Sequence, residues 1–258
     1  MAEMVIENGV VIEGTDVPEV VIPEGVTKIG FSAFSGCSSI RAIRFPESLT
    51  EIGTYAFSEC RSLEELDLPD GITTVEQSFH GCTALKRVRL PQHLQEICPF
   101  AFVNCPSLAE ITLPECLTDV WGDPFDNATA ILVPTQTAGM IRIAPRRSFP
   151  NCYANELRLL LQILHEPERY AAEFAEMKVF EYRAAAAVFL LQRRSSETAS
   201  AFLRKNFKRI AEDYIAAADA HMTVLLLETG CYSPAQRKNA AKTAQAAGLN
   251  EIYSLLDS

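Results

Sequence analysis

The sequence predicts an α+β chain: a solenoid of about five 23-residue turns on a parallel β-sheet, followed by an all-α domain of helical hairpins. Three observations predict it. Prolines recur at Pro23, Pro46, Pro69, Pro91 and Pro114, a beat of 23 residues with one copy a residue short. Apolar columns keep the same beat, which is the mark of a stack of supersecondary units. From Asn155 onward the apolar spacing changes to 3.6, with Leu157, Leu160, Leu161 and Leu164 on one helix face.

The chain opens on a hairpin signal. Asn8-Gly9 sits between Val5-Ile6 and Val10-Val11-Ile12, and Asn-Gly readily takes the left-handed backbone of a two-residue turn. Residues 1–20 are read as a cap over the first sheet edge, where unpaired backbone invites aggregation.

The repeats occupy 21–134. After each proline come Val26, Leu49, Ile72, Leu94 and Leu117, then Ile29, Ile52, Val75, Ile97 and Val120. Phe34, Phe57, Phe79, Phe102 and Phe125 follow, and Cys37, Cys60, Cys82 and Cys105 after them. Ile40, Leu63, Leu85 and Leu108 lead to Ile43, Leu66, Val88 and Ile111, and Phe45, Leu68, Leu90 and Leu113 close each turn. Within Leu63-Glu64-Glu65-Leu66-Asp67-Leu68 the apolar positions are one, four and six, the leucine-rich-repeat pattern. Leu66 and Leu68 flank one polar residue, so the segment reads as a short strand with one buried face. Proline ends it because it has no amide hydrogen to donate. Each repeat is thus one strand plus a return arc. A buried Leu, Ile or Phe contributes roughly 1.5–3 kcal/mol, so one repeat cannot fold alone whereas a stack can.

The string Ala56-Phe57-Ser58-Glu59-Cys60-Arg61-Ser62-Leu63-Glu64-Glu65-Leu66, with Leu68-Pro69 after it, resembles the BspA-like class of leucine-rich repeat, as does Ile29-Gly30-Phe31-Ser32-Ala33-Phe34-Ser35-Gly36-Cys37. The resemblance covers about residues 20–134. It implies a bacterial or protozoan interaction protein or adhesin rather than an enzyme. The pattern decays where Trp121 and Pro124 replace repeat residues and Pro134 comes early. Residues 135–154, with Pro145, Pro150 and Arg146-Arg147, read as an irregular cap or linker.

Residues 155–258 form the helical domain. Pro167 suits a first helical turn, ahead of Tyr170, Phe174 and Met177. An Ala-rich helix over about 179–194 is apolar on most sides and is expected to be central. Ser233-Pro234-Ala235-Gln236 is a capping box, and Gly230 and Gly248 are placed as helix terminators. Val224-Leu225-Leu226-Leu227-Glu228-Thr229-Gly230 is similar to the end of an ankyrin repeat. Ala241 to Gly248 with Glu251-Ile252 and Leu255-Leu256 is similar to the two helices of a following one. No Thr-Pro-Leu-His segment opens the first of these helices.

Charge is unevenly placed. Residues 1–150 carry ten Lys and Arg against twenty Asp and Glu, and the remainder carries thirteen of each, so the whole formal charge of -10 falls on the first part. Phosphate binding needs clustered Lys and Arg, so no nucleic acid is expected as partner. The N-terminus has no basic start and no long apolar run, and no stretch is long enough to span a bilayer. A cytoplasmic chain with reduced thiols is expected. An exported location, extracellular or at the cell surface, is the alternative if an export signal was removed.

No cofactor is expected. The four-cysteine column comes once per turn, so its thiols form a line rather than converging as zinc ligands must, and they read as small buried groups at a corner. Cys98, Cys116, Cys152 and Cys231 share no spacing. Cys152 with His165, or Cys98 with His93, can be nominated as a nucleophile pair, but no local signature supports either. His80, His93, His165 and His221 are scattered, and no glycine loop suits phosphate.

The strand residues facing away from the core are more informative. They are Ala42 and Arg44, Glu65 and Asp67, Arg87 and Arg89, Glu110 and Thr112, on neighbouring strands about 4.8 Å apart. Charges alternate along the two ladders. Two readings follow: cross-strand ion pairs that satisfy one another, or a concave recognition face for a protein or peptide. Arg193-Arg194, Arg204-Lys205 and Lys208-Arg209 form a basic stretch, read as a solvated helix surface or a dock for an acidic partner, including the repeats of the same or another copy. The function expected is a non-catalytic interaction scaffold that recognises a protein or peptide of unknown identity. An exported adhesin binding host or matrix protein is the alternative, and a thiol-dependent enzyme stands third.

Overall fold

The protein is described from a computed structural model, which places residues 3–117, 119–126, 129–135, 138–143, 156–193 and 195–258. Two compact units divide the chain: Met1–Pro134 with Pro145–Arg158, and Thr135–Ala144 with Leu159–Ser258.

The first unit is a β-solenoid with two walls. β1 (Val5–Glu7) and β2 (Val10–Glu13) form the antiparallel hairpin, and Asn8 and Gly9 both take positive φ, 50° and 78°, as its turn requires. One wall carries β3 (Glu19–Val21), β5 (Ala42–Arg44), β7 (Glu65–Asp67), β9 (Arg87–Arg89), β11 (Glu110–Thr112) and β13 (Ala130–Thr135). Here β3 pairs with β5, β7 with β9 and β11 with β13, all in parallel. Their central residues Val20, Ile43, Leu66 and Ile111 are buried, and the flanking residues of β3, β5, β7 and β11 face solvent.

The second wall lies within what the sequence reads as a return arc. It holds two-residue strands: β4 (Lys28–Ile29), β6 (Glu51–Ile52), β8 (Thr74–Val75), β10 (Glu96–Ile97) and β12 (Asp119–Val120). β2 leads in parallel to β4 and β6, and β8, β10 and β12 form a second parallel set. Two residues are too few to display a period of two, which is why the sequence gives the apolar column without the strand. β3 likewise lies across the boundary expected between cap and repeats. Val20 and Ile22 stand 23 residues before Ile43 and Phe45, and β3 extends the first sheet by one strand.

Between the walls runs a stack of phenylalanines. Phe34, Phe57, Phe79, Phe102 and Phe125 lie with ring centroids 4.9, 5.6, 5.5 and 5.8 Å apart and planes within 15° of parallel, all buried. Each ring fills one coil and touches the next, so the stack buries its faces only when coils are adjacent.

In the second unit, β14 (Gly139–Ile143) forms where an irregular segment is expected, with Ile141 and Ile143 buried on one side. Residues 144–155, which include Cys152 and the Arg146-Arg147 pair, lie outside the described residues, as does Arg194. α1 (Glu156–His165) is followed by the short α2 (Pro167–Tyr170), with Pro167 in its first turn, and a 3₁₀ segment over Ala171–Glu176. α3 (Phe180–Arg193) is buried along Ala184–Leu190 and packs against β14, α4 (Glu197–Ala216) and α5 (Ala220–Glu228), the central place its alanines suit. α6 (Pro234–Ala246) pairs with α7 (Asn250–Asp257). The capping box on α6 is complete: Ser233 Oγ accepts from Gln236 N–H at 3.2 Å, and Gln236 Oε1 from Ser233 N–H at 2.8 Å. Gly230 and Gly248 take φ of 62° and 72° after α5 and α6, the left-handed termini for which glycine is suited.

Candidate functional site

The sheet face is positioned by the first wall. Glu65 stands opposite Arg87, Leu66 opposite Val88 and Asp67 opposite Arg89 in the parallel ladder, so the middle residues anchor the strands and the outer ones share a surface. Ala42, Arg44, Glu65, Asp67, Arg87, Arg89, Glu110 and Thr112 are all exposed. The charged ladders are partly internal. Arg87 is bonded to Glu65 and Arg89 to Asp67. Arg89 also reaches Asp70 at 3.5 Å and donates to the Leu68 carbonyl at 3.1 Å. Beside them Lys86 pairs with Glu64 at 2.7 Å. The Arg87 guanidinium holds the Glu65 carboxyl below its ordinary range, and Lys86 does the same for Glu64. These groups are open to water, where each pair is worth little.

The cross-strand pairs expected of the ladders are present between β7 and β9. The central charges satisfy one another, whereas Arg44 and Glu110 have no charged partner among the described residues. A shallow hollow lies beside Arg44, lined also by Phe45, Glu47, Asp67, Asp70 and Arg89. Two further members of the face escaped the sequence reading. β3 places Glu19 beside Ala42 and Val21 beside Arg44, and Val21 is 61% exposed, an apolar residue in open solvent. The signal was the Val20 and Ile22 pair, aligned with the repeat columns.

Three of the four column thiols are buried structural groups, whereas Cys37, expected with them, is only half-buried. Cys60, Cys82 and Cys105 donate to the carbonyls of Phe34, Phe57 and Phe79 at 3.2, 3.3 and 3.3 Å, each reaching the preceding coil. Burial pushes Cys60 and Cys105 up to about 12 and Cys82 further. A nucleophilic thiol needs the opposite shift. Cys98 is raised to about 11, by burial first and then by Glu96 and Glu76. The Cys152 pairing lies outside the described residues. Among the described residues no group of three or more His, Cys, Asp and Glu converges to hold a metal. No helix among them is long and apolar enough to cross a membrane.

In the basic stretch, Arg204, Lys205 and Lys208 are exposed on α4. Arg209 is not part of that surface. Its guanidinium lies 3.4 Å from the Phe180 ring centroid and donates to the buried Glu181 carboxylate at 3.0 Å.

Comparison with known proteins bears on the repeats. Residues 7–131 match the family model of the BspA type leucine rich repeat region, in six copies. Among solved structures, a leucine-rich repeat protein from Bacteroides ovatus is 29% identical, with a TM-score of 0.44 over 51% of this chain and 41% of that one. A leucine rich cell surface protein from Faecalibacterium prausnitzii is 32% identical, with a TM-score of 0.41 over 42% of this chain and 30% of that one. A leucine-rich repeat protein of T. pallidum is 28% identical, with a TM-score of 0.43 over 46% of this chain and 59% of that one. This chain thus spans less than two thirds of the length of each. No curated protein matches it. With its 23-residue beat, its two parallel walls and its stacked phenylalanines, the chain carries over residues 7–131 repeats that match the BspA type of leucine-rich repeat, and a helical region follows.

Proposed function

We propose that this protein is a non-catalytic scaffold that recognises a protein or peptide on the sheet face formed by Ala42, Arg44, Glu65, Asp67, Arg87, Arg89, Glu110 and Thr112, extended by Glu19 and Val21. The observation that carries the reading is the arrangement of charge on a rigid wall. Glu65, Asp67, Arg87 and Arg89 already pair with one another, which leaves Arg44 and Glu110 as charges that a partner can neutralise. Exposed Val21 adds an apolar contact beside Arg44. Backbone positions on such a ladder are set before binding, so little ordering entropy opposes association. The ankyrin-like reading of α5 to α7 makes the helical region a second binding scaffold under the same proposal.

Affinity capture from source-cell lysate, with the native chain set against an Arg44→Glu, Glu110→Lys variant, tests the reading. Neither residue is used by the fold, so the variant is expected to keep its thermal midpoint and to lose the captured protein. Equal capture by both chains would remove the sheet face as the recognition surface.

A further inference from the structure

We propose that the second wall of the solenoid carries a seat for an arginine side chain of a partner segment, formed by Glu76 and Glu96 with the exposed ring of Phe100 at the adjoining corner. The two-residue strands of this wall point one apolar residue inward and the one before it outward, and the residue two further on faces outward again. Glu96 on β10 stands opposite Thr74 on β8 and Asp119 on β12. The register continues past the strands, with Cys98 N–H bonded to the Val75 carbonyl at 2.9 Å and Trp121 N–H to the Ile97 carbonyl at 3.0 Å. Glu76, Cys98 and Trp121 therefore form a second outward row beside Glu96 and Asp119.

One seat on this wall is already filled by the chain itself. Arg158 Nη2 lies 3.2 Å from Asp119 Oδ1, and the same guanidinium sits 4.6 Å from the Trp121 ring centroid. A carboxylate from one row and an indole from the other thus hold one guanidinium. At the opposite end Lys28 pairs with Glu51 at 2.6 Å. The positions between are not neutralised. One strand away from Asp119, about 4.8 Å, Glu96 has no cationic partner among the described residues, and neither has Glu76, which accepts from the Thr54 hydroxyl. Both are half-buried, so an arriving cation is less well screened from them than on an open surface. Cys98, set between them, has its thiol raised by burial and by both carboxylates, which marks the local field as negative.

The aromatic half of the seat is present as well. Phe100 is 50% exposed and holds the left-handed backbone, φ 62°, at the corner that follows β10. Bulky residues adopt that conformation at a cost, which glycine or asparagine would avoid. Two carboxylates and an open ring fit a planar guanidinium, which stacks and bonds at once, better than an ammonium. The occupant is an arginine in an extended segment of another protein, seated beside Arg158.

The full chain is titrated with a fluorescent acetyl-(Gly-Arg)3-amide peptide and with its lysine and citrulline counterparts. The arginine peptide is expected to bind, the lysine peptide more weakly, and the neutral citrulline peptide not at all. A Glu76→Gln, Glu96→Gln variant, nearly identical in shape, should weaken arginine binding about tenfold or more, the loss expected for a charge-assisted hydrogen bond. As a readout on the native chain, bound peptide should slow alkylation of Cys98, mapped by mass spectrometry. Equal binding of the citrulline peptide, unchanged affinity in the variant, or no protection of Cys98 would overturn the proposal. So would self-association of the native chain that the variant abolishes, since a second copy would then occupy the wall.

Discussion

At the scale of single residues, the cysteines show how the solenoid treats small polarisable groups. Cys60, Cys82 and Cys105 are buried, and each thiol donates to a phenylalanine carbonyl one coil back, so a side chain completes the backbone hydrogen bonding of its neighbour. Ionising such a thiol would strand a charge beside a carbonyl oxygen. The unfolded thiols ionise near 9.0, whereas folded Cys60 and Cys105 keep their protons to about 12. Between these values the folded chain binds more protons than the unfolded one. The stability contributed by the column is therefore intact below about pH 9 and is lost as the pH rises through that window. Urea midpoints measured on both sides of pH 9 should fall on the alkaline side, and a Cys60→Ala, Cys105→Ala variant should show a shallower fall. Iodoacetamide should label exposed Cys116 in the native chain and reach Cys60, Cys82 and Cys105 only on unfolding. A buried column thiol that reacted first would revive the enzyme reading.

At the scale of elements, legibility in the sequence followed the length of the pattern. The first wall repeats a polar-apolar-polar triplet at a fixed distance from proline, and so β5, β7, β9 and β11 were read with their outward residues. The second wall repeats only two residues per strand, so its outward row of Glu96 and Asp119 went unread although the Ile97 and Val120 column was seen. Arg158 lies far from Asp119 in sequence, and nothing in the repeat beat points to their contact. α4 gives a parallel case. Its basic residues looked like one solvated face, but the helix turns Arg209 toward Phe180 and Glu181 on α3. The Glu181 side chain is only 6% exposed, and Arg209 is the cation paired with it. Arg209→Ala should cost roughly 3 kcal/mol in urea unfolding, at the low end for a broken buried pair because Arg209 itself reaches solvent. The double variant Arg209→Met, Glu181→Gln should recover much of that loss.

At the scale of the whole molecule, residues 1–150 carry the whole net charge of -10 and the remainder carries none. Acidic surfaces in general repel polyanions and draw in basic segments. Repeats that match the BspA type suggest an interaction or surface scaffold, and the sheet face is the surface we propose for recognition. Photo-crosslinking tests that assignment most directly. A photoreactive amino acid is placed at Ala42 or Thr112, exposed sheet-face residues that make no ion pair, at exposed Ser38 on a solenoid corner, and at exposed Gln245 on α6. Each chain is then irradiated in source-cell lysate. The account predicts one protein joined to the Ala42 and Thr112 chains and absent from the Ser38 and Gln245 chains. A partner joined only through Ser38 or Gln245 would contradict it.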